Sequence, residues 1–299
     1  MQKMSSEIRQ NESEKKARCV VMGGSGFVGS HTIKALIEKG YQVFNYDLKN
    51  GDDIRDIRRL KEVIQPGDKI LHLAAIARFA EADQDPETAW TTNVEGTDCV
   101  AKAAFLKDAE RVVYSSTGSV YMPIEQEGKI DENFRVRGNS VYGCSKHFGE
   151  LALKRANIDH VILRYAHLYG EGKIGHGAIG GFIARMERGL KPQLYGGAQS
   201  NDFTYIKDIV QANILALETE NLNQIYNIGT GIELTTEEVF EALKDFFKYN
   251  KDFEKLPQRK VDANKFVYDI SKAKRELGFI PKFNFKQGME DWYNNFEKP

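Results

Sequence analysis

The stretch RCVVMGGSGFVGS (18–30) leaves the chain few options. RCVVM (18–22) is short, apolar and rich in β-branched residues, so it reads as a strand. Gly23, Gly24, Gly26 and Gly29 follow at once, and residues 28–39 carry a helical pattern that ends at Gly40. Glycines packed between a strand and a helix allow a tight turn and a close approach of the two elements. Such a unit commits the chain to an α/β architecture.

The next strands and helices repeat the alternation. QVFNY (42–46), KILHLAA (69–75), RVVYSS (111–116) and HVILRY (160–165) read as strands, and 85–105 and 142–156 as helices. Strands alternating with helices predict a Rossmann-like, doubly wound parallel sheet covered on both faces. After Tyr169 the texture changes to the glycine-rich GEGKIGHGAIGG (170–181), then to a helix at 235–248 and a short strand QIYNIG (224–229). No clean linker intervenes, so the expectation is a smaller C-terminal α/β lobe intertwined with the first. The predicted division is a tail over 1–17, a dinucleotide-binding domain over 18–168 plus 203–229, and a substrate lobe over 169–202 plus 230–299.

Composition excludes several classes. Lys plus Arg is 42 and Asp plus Glu is 43, which favours neither nucleic acid nor an anionic membrane. No apolar run approaches the roughly 20 residues of a membrane span. The first residues, MQKMSSEIRQNESEKKA, are polar and lack the apolar core of a signal peptide. Cys19, Cys99 and Cys144 are isolated and odd in number, which suggests a reducing, cytoplasmic setting. Neither they nor the six histidines show metal-ligand spacing, so no metal is expected.

Two constellations carry chemistry. The first is the glycine turn, which fits both Gly23-x-x-Gly26-x-x-Gly29 and Gly24-x-Gly26-x-x-Gly29. Backbone there can approach a pyrophosphate at a helix N-terminus. Asp47 ends the second strand about 20 residues on, where a carboxylate accepts ribose hydroxyls and repels a 2′-phosphate. This favours NAD over NADP. Asp53 and Ile54 either cover the adenine or begin the next helix.

The second is VYGCSK (141–146). Tyr142 and Lys146 are i and i+4, hence helical neighbours. An ammonium beside a phenol favours the phenolate, which can exchange a proton with a sugar hydroxyl. Glu150, one turn on, is expected to face solvent or a partner helix. Cys144 reads as packing, because no histidine base is placed beside it. YSSTGSVY (114–121) ends a strand where ligands gather in such sheets, and its hydroxyls suit a substrate oxygen.

With these residues the chain resembles the extended short-chain dehydrogenases/reductases, in the NAD-dependent epimerase/dehydratase group that works on nucleotide sugars. The resemblance runs from about residue 18 to the C-terminus. Its markers are GGSGFVGS, DIRD (53–56), HLAA (72–75), NVEGT (93–97), SSTGSVY (115–121), YGCSK (142–146), RYAHLYG (164–170), NDFTYIKDI (201–209), YNIGTG (226–231) and DISKAKRELGF (269–279). It implies a catalytic trio of Thr117, Tyr142 and Lys146. It implies NAD contacts from Gly23, Ser25, Gly26, Phe27, Val28, Gly29, Asp47, Asp53, Ile54, Leu73, Ala74, Ala75, Asn93, Ser115, Tyr142, Lys146, Tyr165 and His167. It implies substrate contacts from Ser116, Thr117, His167, Asn201 and Arg259. Lys146 would also hold the nicotinamide ribose.

Relatives that eliminate water carry an Asp-Glu pair directly after the active-site Thr. Here Gly118 and Ser119 stand there, and the glutamate of decarboxylating relatives is also missing. That leaves a nucleotide-sugar 4-epimerase, or a 4-dehydrogenase or 4-keto reductase with net NAD(H) turnover; a cofactor-binding module without turnover is disfavoured by the intact trio. Two positions depart from the family. His167 stands where an asparagine commonly meets substrate, and either replaces it or simply packs. Asn201 stands where an arginine usually meets the diphosphate. Arg259 matches a second such arginine, and reads equally as a surface residue; Arg135 and Arg137 either compensate or are solvated. The resemblance also implies a homodimer through helices near 92–107 and 142–156.

Overall fold

The computed structural model describes residues 17–121, 128–172, 177–197, 199–257 and 265–295. The 1–16 tail and Arg259 lie outside the described residues. The first half runs β1 (Arg18–Met22), α1 (Phe27–Glu38), β2 (Gln42–Tyr46), α2 (Ile57–Val63), β3 (Lys69–His72), α3 (Phe79–Gln84), α4 (Pro86–Trp90), α5 (Thr97–Leu106), β4 (Arg111–Thr117), α6 (Val141–Arg155) and β5 (His160–Tyr165). There follow β6 (His167–Tyr169), α7 (Gly177–Glu187), β7 (Gln193–Tyr195), β8 (Ser200–Asn201), β9 (Phe203–Tyr205), α8 (Ile206–Glu218) and β10 (Gln224–Ile228). Last come β11 (Leu234–Thr235), α9 (Thr236–Phe247), β12 (Glu254–Leu256), β13 (Lys265–Phe266) and α10 (Phe285–Asn294).

Six strands form one parallel sheet in the order β10-β5-β4-β3-β1-β2. Alternate residues of each strand face opposite layers. Val20, Met22, Ile70, Val112 and Ile162 pack with Leu60, Val100, Ala104 and Leu153 on one side. Cys19, Val21, Leu71, Val113 and Leu163 pack with Leu36, Ile209, Ala212 and Ala216 on the other. Both faces are thus dry, as a parallel sheet requires. The strand order reverses beside β1, and a crevice at the carboxyl ends of strands belongs at such a point. Three small sheets, β11-β8-β13, β12-β7 and β6-β9, are made by the strands of the second half, β10 excepted.

Two sequence expectations change in detail. KILHLAA is a strand only through His72, because the chain then leaves the sheet with a last bond from Leu73 N–H to the Met22 carbonyl (2.9 Å). The expected helix over 85–105 is α4, a π-helical turn at Thr91–Gly96, and α5. The widened turn coincides with a fully buried Asn93, whose amide is used outside the helix, and π-bulges recur at functional sites.

Candidate functional site

The glycine turn is built as a cradle. Gly23 has φ +80°, and a Cβ on it would come within 2.7 Å of the Ala74 nitrogen. A Cβ on Gly29 would collide with the Gly23 carbonyl, so helix and turn touch directly. Gly26 is the N-cap of α1 and supplies no side-chain cap, which leaves the helix start to be met from outside. Asp47 lies beside it. Its Oδ2 accepts the Ser25 N–H (2.9 Å) and its Oδ1 the Lys49 N–H (2.9 Å). Backbone amides at a helix start and a carboxylate at the next strand end fit a diphosphate and a ribose. Phe27 and Val28 are half-buried on the first turn of α1, and Ala74 and Ala75 line the opposite loop. Asp53 is paired with Arg55 (2.6 Å), and Ile54 is buried in the core against α5.

Other residues expected at the cofactor hold the walls of this crevice. Both ends of the Asn93 amide bind the 73–78 loop: Oδ1 accepts the Ile76 N–H (2.8 Å), and Nδ2 donates to the Ile76 carbonyl (3.0 Å) and Ser145 Oγ (2.9 Å). Ser115 Oγ donates to the His72 carbonyl (3.1 Å). The Tyr165 hydroxyl points into the core and donates to Asn213 Oδ1 (2.5 Å).

The α6 helix starts at Ser140, whose Oγ accepts the Gly143 N–H (3.0 Å), and this places Tyr142 over the end of β4. The Tyr142 hydroxyl is hydrogen-bonded to Thr117. Burial pushes its pKa up and the Thr117 bond pulls it back. Lys146 is 2% exposed, and burial drops its pKa to about 7 against the opposing effect of Glu150. Cys144 packs, with its thiol donating to the Gly138 carbonyl.

Glu150 does not face solvent or a partner helix, as its spacing suggested. It is fully buried. Arg164 from β5 grips it with two bonds, 2.9 and 2.6 Å, and Ser116 Oγ donates to it (2.5 Å). Burial alone would raise the carboxyl, but Arg164, His147 and Ser116 hold it at about 2. Arg164 also donates to the Tyr121 hydroxyl (2.7 Å), which donates to Asn227 Oδ1 (2.8 Å) on β10. Sequence reasoning missed this chain. The signal available was an acid on the buried face of α6 matched by an arginine inside an apolar strand.

Past Thr117 there is no room for a side chain. A Cβ on Gly118 would collide with the Phe266 ring and come 2.7 Å from the Tyr268 hydroxyl. His167 is exposed at the start of β6, with its ring between those of Phe203 (5.8 Å) and Phe266 (5.5 Å). Asn201 is half-buried in β8, paired with Leu234 and Phe266. The next residue, Asp202, was not expected at the site. It is buried and accepts the Thr230 N–H, Thr230 hydroxyl and Gly231 N–H at 2.7–2.8 Å, fixing the turn after β10. Arg135 and Arg137 are exposed. Among the described residues no cluster of His, Cys, Asp and Glu suits a metal, all three cysteines are free thiols, and no helix is long and apolar enough to cross a membrane.

Comparison with known proteins agrees with this geometry. A model of the NAD dependent epimerase/dehydratase family matches residues 19–229. The chain belongs to that family. A putative UDP-glucose 4-epimerase of Methanocaldococcus jannaschii is 32% identical, over 92% of this chain and 98% of the relative. The UDP-glucose 4-epimerase of Thermotoga maritima, solved with UDP-glucose, superposes with a TM-score of 0.86 at 29% identity, covering 93% of this chain and 97% of that one. The Thermus thermophilus UDP-glucose 4-epimerase, solved with NAD, gives 0.82 at 28% identity, covering 93% and 98%.

Proposed function

We infer that this chain is an NAD-dependent nucleotide-sugar 4-epimerase. One observation supports the choice among family reactions: Tyr142 is hydrogen-bonded to Thr117, and among the described residues no carboxyl is bonded to either of them for elimination. Gly118 cannot grow a side chain without displacing Phe266, and Glu150 is committed to Arg164. These residues support hydride chemistry.

The residues divide the work. The cradle of Gly23, Ser25, Gly26, Phe27, Val28 and Gly29, with Asp47, would hold the dinucleotide. When bound, NAD supplies an acceptor and later a donor of hydride beside the sugar carbon. Thr117 holds the sugar oxygen. Tyr142, as phenolate, takes that oxygen's proton and returns it at the end, so it is base and then acid. Lys146 favours the phenolate when its ammonium is aimed at the phenol. A sugar that turns between the two half-reactions leaves with the opposite configuration. His167, Asn201 and Arg259 are the proposed substrate contacts that set sugar and nucleotide preference. The working form is a homodimer, supported by the apolar outer face of α6, in a cytoplasmic setting.

The test is incubation of the protein with UDP-, dTDP-, GDP- and CDP-sugars and catalytic NAD, following reduced-nicotinamide absorbance and product chromatography together. An isomeric nucleotide sugar with no lasting absorbance is expected. A keto sugar accumulating with stoichiometric NADH would replace the epimerase with a dehydrogenase. Tyr142→Phe should lower turnover at least ~100-fold while NAD still binds, since general acid–base catalysis contributes about that much or more. Turnover near the parent's would remove Tyr142 from the mechanism.

A further inference from the structure

The Lys146 ammonium is buried, yet among the described residues no carboxylate or carbonyl accepts a hydrogen bond from it. Its contact is an aromatic face: Nζ stands 4.1 Å from the centre of the Tyr114 ring. A cation over such a face is attracted by the ring quadrupole, and the attraction grows when water is excluded. Tyr114 is itself completely buried on β4, three residues before Thr117.

The surroundings are shaped to keep that ring in place. Its hydroxyl is turned toward α6, 3.5 Å from the Lys146 carbonyl. A Cβ on Gly149 would collide with that hydroxyl, so α6 carries a glycine where Tyr114 enters. Behind the ring lies His72 of β3, ring centres 5.3 Å apart. His72 Nε2 faces Thr97 Oγ1 (3.0 Å), and Thr97 donates to the Asn93 carbonyl (2.7 Å). Thr97 thus accepts from Nε2–H, and the other imidazole nitrogen carries no proton. Burial and Lys146 push the His72 pKa down to about 3, so the neutral ring adds no competing charge. The charged groups that face this cluster are Glu150 of α6, which favours the ammonium, and Arg164 of β5, which neutralises Glu150.

We propose that Tyr114 is a positioning residue for the reaction: its ring is the seat that holds the Lys146 ammonium charged and available to the Tyr142 phenol when NAD is bound. Ring polarity, beyond ring volume, is the property that matters. The seat rests on the reading of Tyr142 and Lys146 as the proton-transfer pair, and its test separates the two.

The experiment compares Tyr114→Phe with the same position filled by trifluorophenylalanine, in the NAD-loaded protein. The two side chains are close in shape, and fluorination removes the negative face. Phenolate absorbance against pH, minus that of Tyr142→Phe, reads the ionisation of Tyr142 without any substrate. The fluorinated ring should move the Tyr142 midpoint up by about one pH unit relative to Phe, tenfold in phenolate fraction at a fixed pH below it. The acid limb of the turnover profile should move with it, which a purely structural role would not produce. Equal midpoints for the two rings would overturn the seat. Lys146→Ala is the control. If it raises the midpoint while fluorination does nothing, the seat alone falls; if it too leaves the midpoint unmoved, the pairing of Tyr142 with Lys146 falls, and the seat falls with it.

Discussion

Glu150 is an acid with no water around it, and its energetics follow from that. The carboxylate is tolerated because Arg164 meets it with two bonds and Ser116 adds a third, with the His147 ring 3.7 Å away. Its folded-state pKa of about 2 lies below its ordinary 4.5. The sign follows: the stabilisation is full above pH 4.5 and is lost as pH falls toward 2. The shift corresponds to about 3 kcal/mol. Glu150→Gln leaves the Arg164 charge buried without its partner, and should cost about 3–5 kcal/mol at neutral pH. Urea unfolding from pH 7 down to 3 checks both statements. The parent should lose stability steeply below pH 4.5 and the variant much less so; parallel curves would mean that Glu150 does not set the acid limit. Asp47 sits at the other end of the crevice with a different task. Asp47→Ala should narrow the preference for NAD over NADP, read by titrating each cofactor. A parent protein that already prefers NADP would contradict the role given to it.

At the level of elements, the walls of the crevice depend on the π-helical turn at Thr91–Gly96. The extra residue in that turn lets Asn93 reach inward and close both backbone groups of Ile76. Asn93→Ala strands those groups in a partly buried place, at up to about 1–3 kcal/mol for each one unsatisfied. Stability should fall by about that amount, and NAD affinity with it, because the 73–78 loop forms one wall of the cradle. Denaturation and NAD titration on the same preparation test this; lost stability with unchanged affinity would show that the loop keeps its place without the clamp. The sequence made much of this legible. Strands β1 and β5 lie where their apolar runs placed them, since a strand buried on both faces is apolar along most of its length, and the partly exposed edge strand β2 was legible from Val43, Phe44 and Tyr46. The glycine turn was legible because few residues fit it. Asn93 as a clamp and Glu150 as a buried anchor were not. Each depends on a partner distant in sequence, Ile76 and Arg164, and spacing along one helix says nothing about what stands opposite it.

On the scale of the whole molecule, α6 has two jobs on two faces. Tyr142 meets Thr117 at the end of β4, and Lys146 and Glu150 are buried against the sheet. Phe148 and Leu151, i and i+3, look outward at 45% and 37% exposure, and Trp90 of α4 stacks on Phe148 with ring centres 5.0 Å apart while remaining 38% exposed. Apolar side chains grouped on the outside of two packed helices are covered by a second copy if the proposed homodimer forms through α6. The homodimer therefore predicts sedimentation at twice the 33.9 kDa chain mass. Phe148→Glu and Leu151→Arg should each place a charge in that contact and shift the protein toward monomer. A dimer through this face would also steady α6, so the monomeric variants should lose turnover more than NAD affinity, because the cradle belongs to α1 and β2 while the proton-transfer pair belongs to α6. A parent protein that sediments as a monomer would remove the dimer, and would leave the outer face of α6 exposed in the active enzyme.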